Sequence, residues 1–239
     1  MASFVWGRDP QEAYRNPYEW DANRQFSIEA RTILENFFAD LMKKNMCFEK
    51  SETSLNKAEW MLLTDATDSL IEALENLDKS RHRITSRLFR DVIENLDLLT
   101  YFRAETHQSQ KDLRKWFKGE FIPHRVSREY MRETDGESAR KQRAKYYQDL
   151  SAFTHRTYKA LCDSYALGQG DKLVYDTVTE SRMMVLPQTL SAYYCVLSDL
   201  IIQLSTSLQQ SEFVSTEQLA SYWSEVVETG SVPRRFVQI

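Results

Sequence analysis

The chain has 239 residues, of which 42% are hydrophobic and 28% are charged, a composition typical of a globular protein. The net charge of -4 requires no polyanionic or membrane partner, and the low content of 6 glycines and 5 prolines disfavours an architecture of strands and turns. Leu, Glu, Arg, Ala, Gln and Lys are plentiful and favour helices, so we predict an all-α protein.

The cysteines and the apolar stretches indicate where the protein resides. Cys47, Cys162 and Cys195 are odd in number and lack the spacing of metal ligands. The last two fall on apolar helix faces, which favours buried free thiols and a reducing compartment. The N-terminus lacks the pattern of a signal peptide, and the most apolar stretch, 193–204, is too short to span a bilayer. We expect a cytoplasmic protein without a membrane partner.

Three parts of the chain are predicted from its apolar pattern. Residues 1–24 carry aromatic side chains among polar ones and are expected to form an arm that docks on the body, or alternatively binds a partner. Residues 25–230 form a single domain, an antiparallel bundle of about seven helices, and residues 231–239 form a surface tail. The predicted helices cover about 26–46, 54–77, 83–105, 110–118, 127–133, 144–168 and 187–208, with a last helix that starts at the capping box Ser215-x-x-Gln218 and stops at Gly230.

The predicted helix 144–168 carries the most suggestive pattern in the chain. Tyr147, Ser151 and His155 recur at four-residue steps along the edge of its apolar stripe. A half-buried histidine needs hydrogen-bond partners, so His155 could be a structural residue bonded to a carboxylate or tyrosine of another helix. Alternatively, it is a general base or a ligand-binding group, because histidine titrates near neutral pH.

One line of the helix at 83–105 is polar. Arg90, Glu94, Asp97 and Tyr101 follow each other along it, with Arg87 beside them. Arg90 and Glu94 are four residues apart and can form an ion pair. Two interpretations stay open: a solvated salt bridge that contributes little stability, or a polar seam that faces the hydroxyl and imidazole groups of the helix at 144–168.

A basic and aromatic segment lies between these two helices. Residues 111–145 contain eleven Lys or Arg against six Asp or Glu, interleaved with aromatic residues such as Trp116 and Phe121. This composition suits a surface for single-stranded nucleic acid. It suits equally a pair of amphipathic helices whose long basic side chains extend into solvent. Asp135-Gly136 predicts a turn inside the segment.

Several sites are excluded by spacing. The chain has no His-Glu-x-x-His, Glu-x-x-His or Gly-x-Ser-x-Gly motif, and the turn at 168–171 is not a phosphate-binding loop, so we expect no metal and no cofactor. Residues 172–178 are expected to be extended. The helix at 187–208 is apolar nearly all round at 193–202, which predicts a place in the centre of the bundle or at a homodimer interface.

The Arg90-x-x-x-Glu94 pattern followed by Tyr147-x-x-x-Ser151-x-x-x-His155 resembles an uncharacterised family of bacterial all-helical proteins. That family is loosely similar to the HEPN (higher eukaryote and prokaryote nucleotide-binding) helical bundles. The resemblance covers about residues 80–165 and implies a HEPN-like fold and, if it extends to function, a defence or stress-response setting. HEPN ribonucleases carry an Arg-x(4–6)-His motif, which this chain lacks.

Three functional hypotheses follow. The leading one is an intracellular bundle, non-enzymatic or of unassigned activity, that binds a protein partner or a small ligand. The second is a HEPN-like ribonuclease in which His155 is the general acid or base and arginine stabilises charge on the phosphate. The third is a non-catalytic nucleic-acid-binding module that uses residues 111–145. The candidate catalytic residues are His155, Arg90 and Glu94, and the candidate ligand-binding residues are Arg87, Tyr101, Tyr147 and Ser151.

Overall fold

The computed structural model describes residues 19–79, 81–154, 158, 165–167, 172–175 and 186–229. This part of the chain forms seven helices and one short hairpin, which confirms the all-α prediction. In chain order the elements are α1 Glu19–Met42, α2 Leu55–Asp78, α3 His82–Arg103, α4 His107–Phe117, α5 His124–Thr154, β1 Tyr165–Leu167, β2 Leu173–Tyr175, α6 Leu186–Gln210 and α7 Thr216–Thr229.

The core lies where α1, α2, α3 and α6 meet. α6 packs against each of the other three, which explains why its sequence is apolar nearly all round. Of the two predicted positions for this helix, the structure shows the central one. The fully buried side chains of α6 include Leu197, Leu200, Ile201 and Leu204.

The first helix begins earlier than predicted. Residues 19–24 were expected in the N-terminal arm but belong to α1, because this run contains no Gly or Pro that would end a helix. The rest of the predicted arm, residues 1–18, and the predicted tail at 231–239 lie outside the described residues.

The predicted helix over 144–168 is wrong at both of its ends. Its N-terminal part continues α5, which starts at His124 and is interrupted at Gly136, where φ is 90° and ψ is 171°. Residues 165–167 form β1, which pairs antiparallel with β2 in the register Tyr165↔Tyr175. Tyr165, Val174 and Tyr175 are residues that favour strands, and the pairing of β1 with β2 overrides the helical pattern. The expectation of extended structure after residue 172 is confirmed for Leu173–Tyr175.

Two helix starts are capped by side chains, and the second of these caps was predicted. The Ser54 side chain accepts a hydrogen bond from the Lys57 amide at 3.2 Å at the start of α2. At α7, the Ser215 amide donates to Gln218 Oε1 at 2.9 Å, and the Gln218 amide donates to Ser215 Oγ at 3.2 Å, which is the predicted capping box. Among the described helices, none has the length and apolar character that crossing a membrane would take.

Candidate functional site

The polar line of α3 meets α5, which packs along it. Glu94 on α3 accepts two hydrogen bonds on Oε1, from Arg90 Nε at 2.8 Å and from the Tyr147 hydroxyl at 2.6 Å. His124, the first residue of α5, places Nε2 at 3.1 Å from the same oxygen. Three donors from two helices therefore converge on one carboxylate oxygen.

Cationic and aromatic groups surround this carboxylate. The Tyr147 ring contacts two guanidinium groups, that of Arg90 at 4.9 Å and that of Arg128 at 4.5 Å from the ring centre. The His124 ring lies 5.5 Å from the Tyr147 ring. We call these five residues, Arg90, Glu94, His124, Arg128 and Tyr147, the Glu94 cluster.

Glu94 is ionised in this setting. Burial by itself raises the pKa of its carboxyl group, but the hydrogen bonds from His124, Tyr147 and Arg90 outweigh burial and lower the pKa to about 2. Burial and the bond to Glu94 also raise the pKa of the Tyr147 hydroxyl. At neutral pH the carboxylate is therefore a fixed acceptor that orients its donors, and it has no proton to give as a general acid.

The contact with Glu94 orients the histidine ring. An ionised carboxylate can only accept, so His124 presents an N–H at Nε2 to Glu94. The cluster can therefore hold and orient an imidazole against a hydrogen-bonding ligand.

A cavity of about 350 Å³ opens beside the Glu94 cluster. Glu94 and His124 form part of its wall, together with the connection between α4 and α5. Phe121 lies in that connection and is 76% exposed. The lining residues are Glu94, Asn95, Leu98, Trp116, Gly119, Glu120, Phe121, Ile122, Pro123, His124 and Ser127.

The C-terminal residues of the polar line of α3, Asp97 and Tyr101, have other partners. Asp97 forms an ion pair with Arg143 of α5 at 2.7 Å, and Arg143 also donates to Gln203 of α6 at 2.9 Å. Tyr101 is buried and donates to Asp112 of α4 at 2.9 Å. These contacts join α3 to its neighbours and lie away from the cavity lining.

The predicted site residues are thus only partly brought together. Arg90, Glu94 and Tyr147 meet in the Glu94 cluster. Arg87 is exposed and Ser151 is partly buried. His155, the predicted catalytic residue, lies outside the described residues.

Sequence reasoning missed His124 and Arg128 as members of the site. Both lie inside the basic and aromatic segment 111–145, but composition gave no reason to select them. His124 is thirty residues from Glu94 in sequence, and only the packing of α5 on α3 joins them. The one local signal was Pro123, which marks a helix start at the histidine.

No group of three or more His, Cys, Asp or Glu residues within the described part of the chain could hold a metal ion. Comparison of the chain with protein-family models, with curated proteins and with solved structures finds no match.

Proposed function

We propose that the protein is a helical bundle that binds a small ligand in the cavity beside the Glu94 cluster. The observation that carries this proposal is the ionised Glu94 carboxylate, which holds three donors at the wall of a cavity of about 350 Å³. Ligand sites are concave, of roughly 300–1,000 Å³, and combine apolar walls with a few fixed polar groups. A carboxyl group with a strongly shifted pKa in such a cleft is a candidate for function.

The wall has the composition that this proposal needs. Leu98, Ile122 and Pro123 are apolar, and Trp116 and Phe121 are aromatic. The polar lining residues are Glu94, Asn95, Glu120, His124 and Ser127. The carboxylate fixes the imidazole before any ligand arrives, which reduces the entropy lost on binding.

The test is a fragment screen by ligand-observed NMR on the wild type and on Leu98→Trp. Leu98 lines the cavity, so the larger side chain should fill it and abolish binding of the fragments that the wild type binds. Leu88→Trp is the matched control, since Leu88 is a partly buried leucine of the same helix that does not line the cavity. Fragments that bind equally to Leu98→Trp, or an absence of bound fragments in the wild type, would overturn the proposal.

A nucleic-acid-binding role for residues 111–145 is a second proposal. Seven of the eleven Lys and Arg side chains of this segment are exposed, and the exposed ring of Phe121 lies among them. Such a surface should bind single-stranded RNA with an affinity that falls steeply as salt is raised. Binding that is absent at low salt would contradict it.

The ribonuclease hypothesis places the chemistry at His155. Its test pairs the thermal midpoint of His155→Ala with cleavage of a mixed RNA pool by this variant and by wild type. Cleavage by the wild type that is lost in a variant of unchanged stability would support catalysis. An inactive wild type, with a variant that melts several degrees lower, would make the histidine structural.

Four further expectations from the sequence, on the fold, the oligomeric state, the location and the biological setting, are also proposals. They are the antiparallel HEPN-like arrangement, a homodimer, a cytoplasmic location and a defence or stress-response setting, and they are supported only by the sequence patterns described above. Sedimentation equilibrium over a range of concentrations tests the homodimer.

A further inference from the structure

The side-chain donors around the cavity are largely engaged within the protein. Asn95 directs its amide N–H to the Asp65 carboxylate at 2.6 Å, an assignment that the acceptor-only carboxylate requires. The Ser127 hydroxyl donates to the His124 carbonyl at 3.0 Å, and the His124 Nε2–H group is directed at Glu94. The Ser127 oxygen therefore faces a ligand as an acceptor, and Asn95 offers its amide oxygen together with its second amide N–H.

Several hydrogen-bond acceptors of the cavity wall stay available to a ligand. They are the amide oxygen of Asn95, the lone pairs of the Ser127 oxygen and the carboxylate of Glu120. The indole N–H of Trp116 is a side-chain donor in the same lining. A wall with this excess of acceptors is complementary to a ligand rich in N–H groups.

The charged side chains of the cavity wall also favour a cationic ligand. They are Glu94 and Glu120, and no Lys or Arg is among the lining residues. Arg90 is bound to Glu94, and Lys115, which lies near Glu120, is bound to Asp112 at 2.7 Å. Arg90 and Lys115 are therefore each engaged by a carboxylate of the protein, whereas Arg128 stacks on the Tyr147 ring.

The aromatic side chains add a surface suited to a cation. Trp116 packs edge-on against Phe102 and Phe117 at ring distances of 5.9 and 5.0 Å, which fixes its indole, and Phe121 stands at the exposed rim. Aromatic faces attract organic cations, and the attraction grows when a carboxylate lies close by.

We propose that the cavity binds an organic amine or guanidinium compound whose cationic N–H groups face the Glu120 carboxylate and the Asn95 amide oxygen and whose apolar part lies against Trp116 and Phe121. This inference rests on the proposed ligand-binding function. It disfavours an anionic ligand, because a phosphate or carboxylate placed here would meet acceptors and two carboxylates.

The experiment uses three probes that share one ring and differ in charge: benzylammonium, benzyl alcohol and benzoate. Calorimetric titration at pH 7 should give benzylammonium an affinity at least tenfold above that of the alcohol, and no measurable binding of benzoate.

Glu120→Gln should weaken benzylammonium binding about tenfold, and Phe121→Ala should weaken it severalfold. Both sites are exposed, so both variants should fold. Glu133→Gln and Met46→Ala, at exposed residues outside the lining, should leave the affinity for benzylammonium unchanged.

The possible failures separate the two proposals. Benzoate or the alcohol binding as well as the amine would overturn the amine class while ligand binding stands. Unchanged amine affinity in Glu120→Gln would overturn the assigned position of the cation. If none of the three probes binds, the amine proposal fails, and the fragment screen with Leu98→Trp decides ligand binding independently.

Discussion

Glu94 shows how one residue can both stabilise the fold and prepare a site. Its side chain is 24% exposed, so solvent screens it only in part. The three donors hold its pKa at about 2, below the ordinary value of 4.5. A lowered pKa in the folded state means that the ionised carboxylate stabilises the fold above its ordinary pKa, and that this contribution is lost as the pH falls from about 4.5 towards 2.

Replacing Glu94 with Gln should therefore destabilise the protein at pH 7 and matter less in acid. We expect a loss of about 2 kcal/mol at pH 7, since the neutral amide accepts weaker hydrogen bonds from its donors. The difference from wild type should shrink as the pH falls below about 4. Urea unfolding between pH 7 and pH 2.5 measures it, with the exposed Glu133→Gln as control. A difference that stays constant with pH would contradict the assignment of an ionised Glu94.

The Tyr147 hydroxyl can be tested separately from its ring. Tyr147→Phe removes the donor to Glu94 but keeps the ring between the arginine side chains, so we expect a loss of about 1–2 kcal/mol in unfolding free energy. The pKa of Glu94, followed by NMR, should rise because one stabilising hydrogen bond is gone. Tyr130→Phe is the control, since the Tyr130 hydroxyl makes no hydrogen bond with any described residue. Equal stability of the two variants would refute the importance of this bond.

At the scale of single residues, the sequence predicted the ion pair of Arg90 and Glu94 but not the whole Glu94 cluster. The four-residue spacing of Arg90 and Glu94 was enough to predict their contact, because it depends on helix geometry alone. The contact with Tyr147 corresponds to the polar seam, which was one of the two interpretations that the sequence left open. His124 and Arg128 were not predictable, because their positions depend on how α5 starts and lies against α3, which no local pattern encodes.

Among the elements, α5 depends on one backbone irregularity. Gly136 adopts φ 90° and ψ 171°, a region that is essentially restricted to glycine, and it separates the part that carries His124 from the part that carries Tyr147. The sequence predicted a turn at this point from Asp135-Gly136, and predicted extended structure over residues 172–178. It did not predict β1, because a three-residue strand has too little sequence of its own to outweigh a helical pattern.

Gly136→Ala should be destabilising although no atom would clash. A Cβ at this position meets nothing within 4 Å, so the cost is backbone strain of about 1–3 kcal/mol. Thermal and urea unfolding measure this loss. Ser138→Ala, an exposed substitution two residues later, serves as the control and should leave stability within about 0.5 kcal/mol of wild type. If the unfolding midpoints of Gly136→Ala equal those of wild type, α5 can form a continuous helix through residue 136.

For the whole molecule, Arg103 ties together helices that are distant in sequence. At the end of α3 its Nε contacts Glu59 of α2 at 2.6 Å, and its Nη2 donates to the Ser207 carbonyl of α6 at 2.8 Å. It also bonds to Gln210 and Ser211. The general plan, a helical bundle with the most apolar helix in its centre, was predictable from periodicity, whereas such long-range polar contacts were not, because no sequence spacing relates their members.

Arg103→Met should lower the free energy of unfolding by about 2–4 kcal/mol. The substitution keeps an apolar stem but leaves Glu59, whose side chain is 12% exposed, without its cation. Arg132→Met removes a cation from an exposed ion pair and should cost less than about 1 kcal/mol. Urea unfolding of both variants makes the comparison. Similar losses in the two would show that Arg103 does not join the helices in the way the structure indicates.

The cavity wall is contributed by α3, the end of α4, the connection at 119–123 and the start of α5. A molecule that occupies it therefore contacts segments that separate on unfolding, and it binds the folded state alone. A ligand that binds only the folded state raises the free energy of unfolding, so the melting temperature reports its presence. A free ligand concentration of about 100 times Kd adds about 2.7 kcal/mol to the free energy of unfolding. Fractions of a cell extract can be ranked by how far they raise the melting temperature of this protein, with Leu98→Trp as the blank.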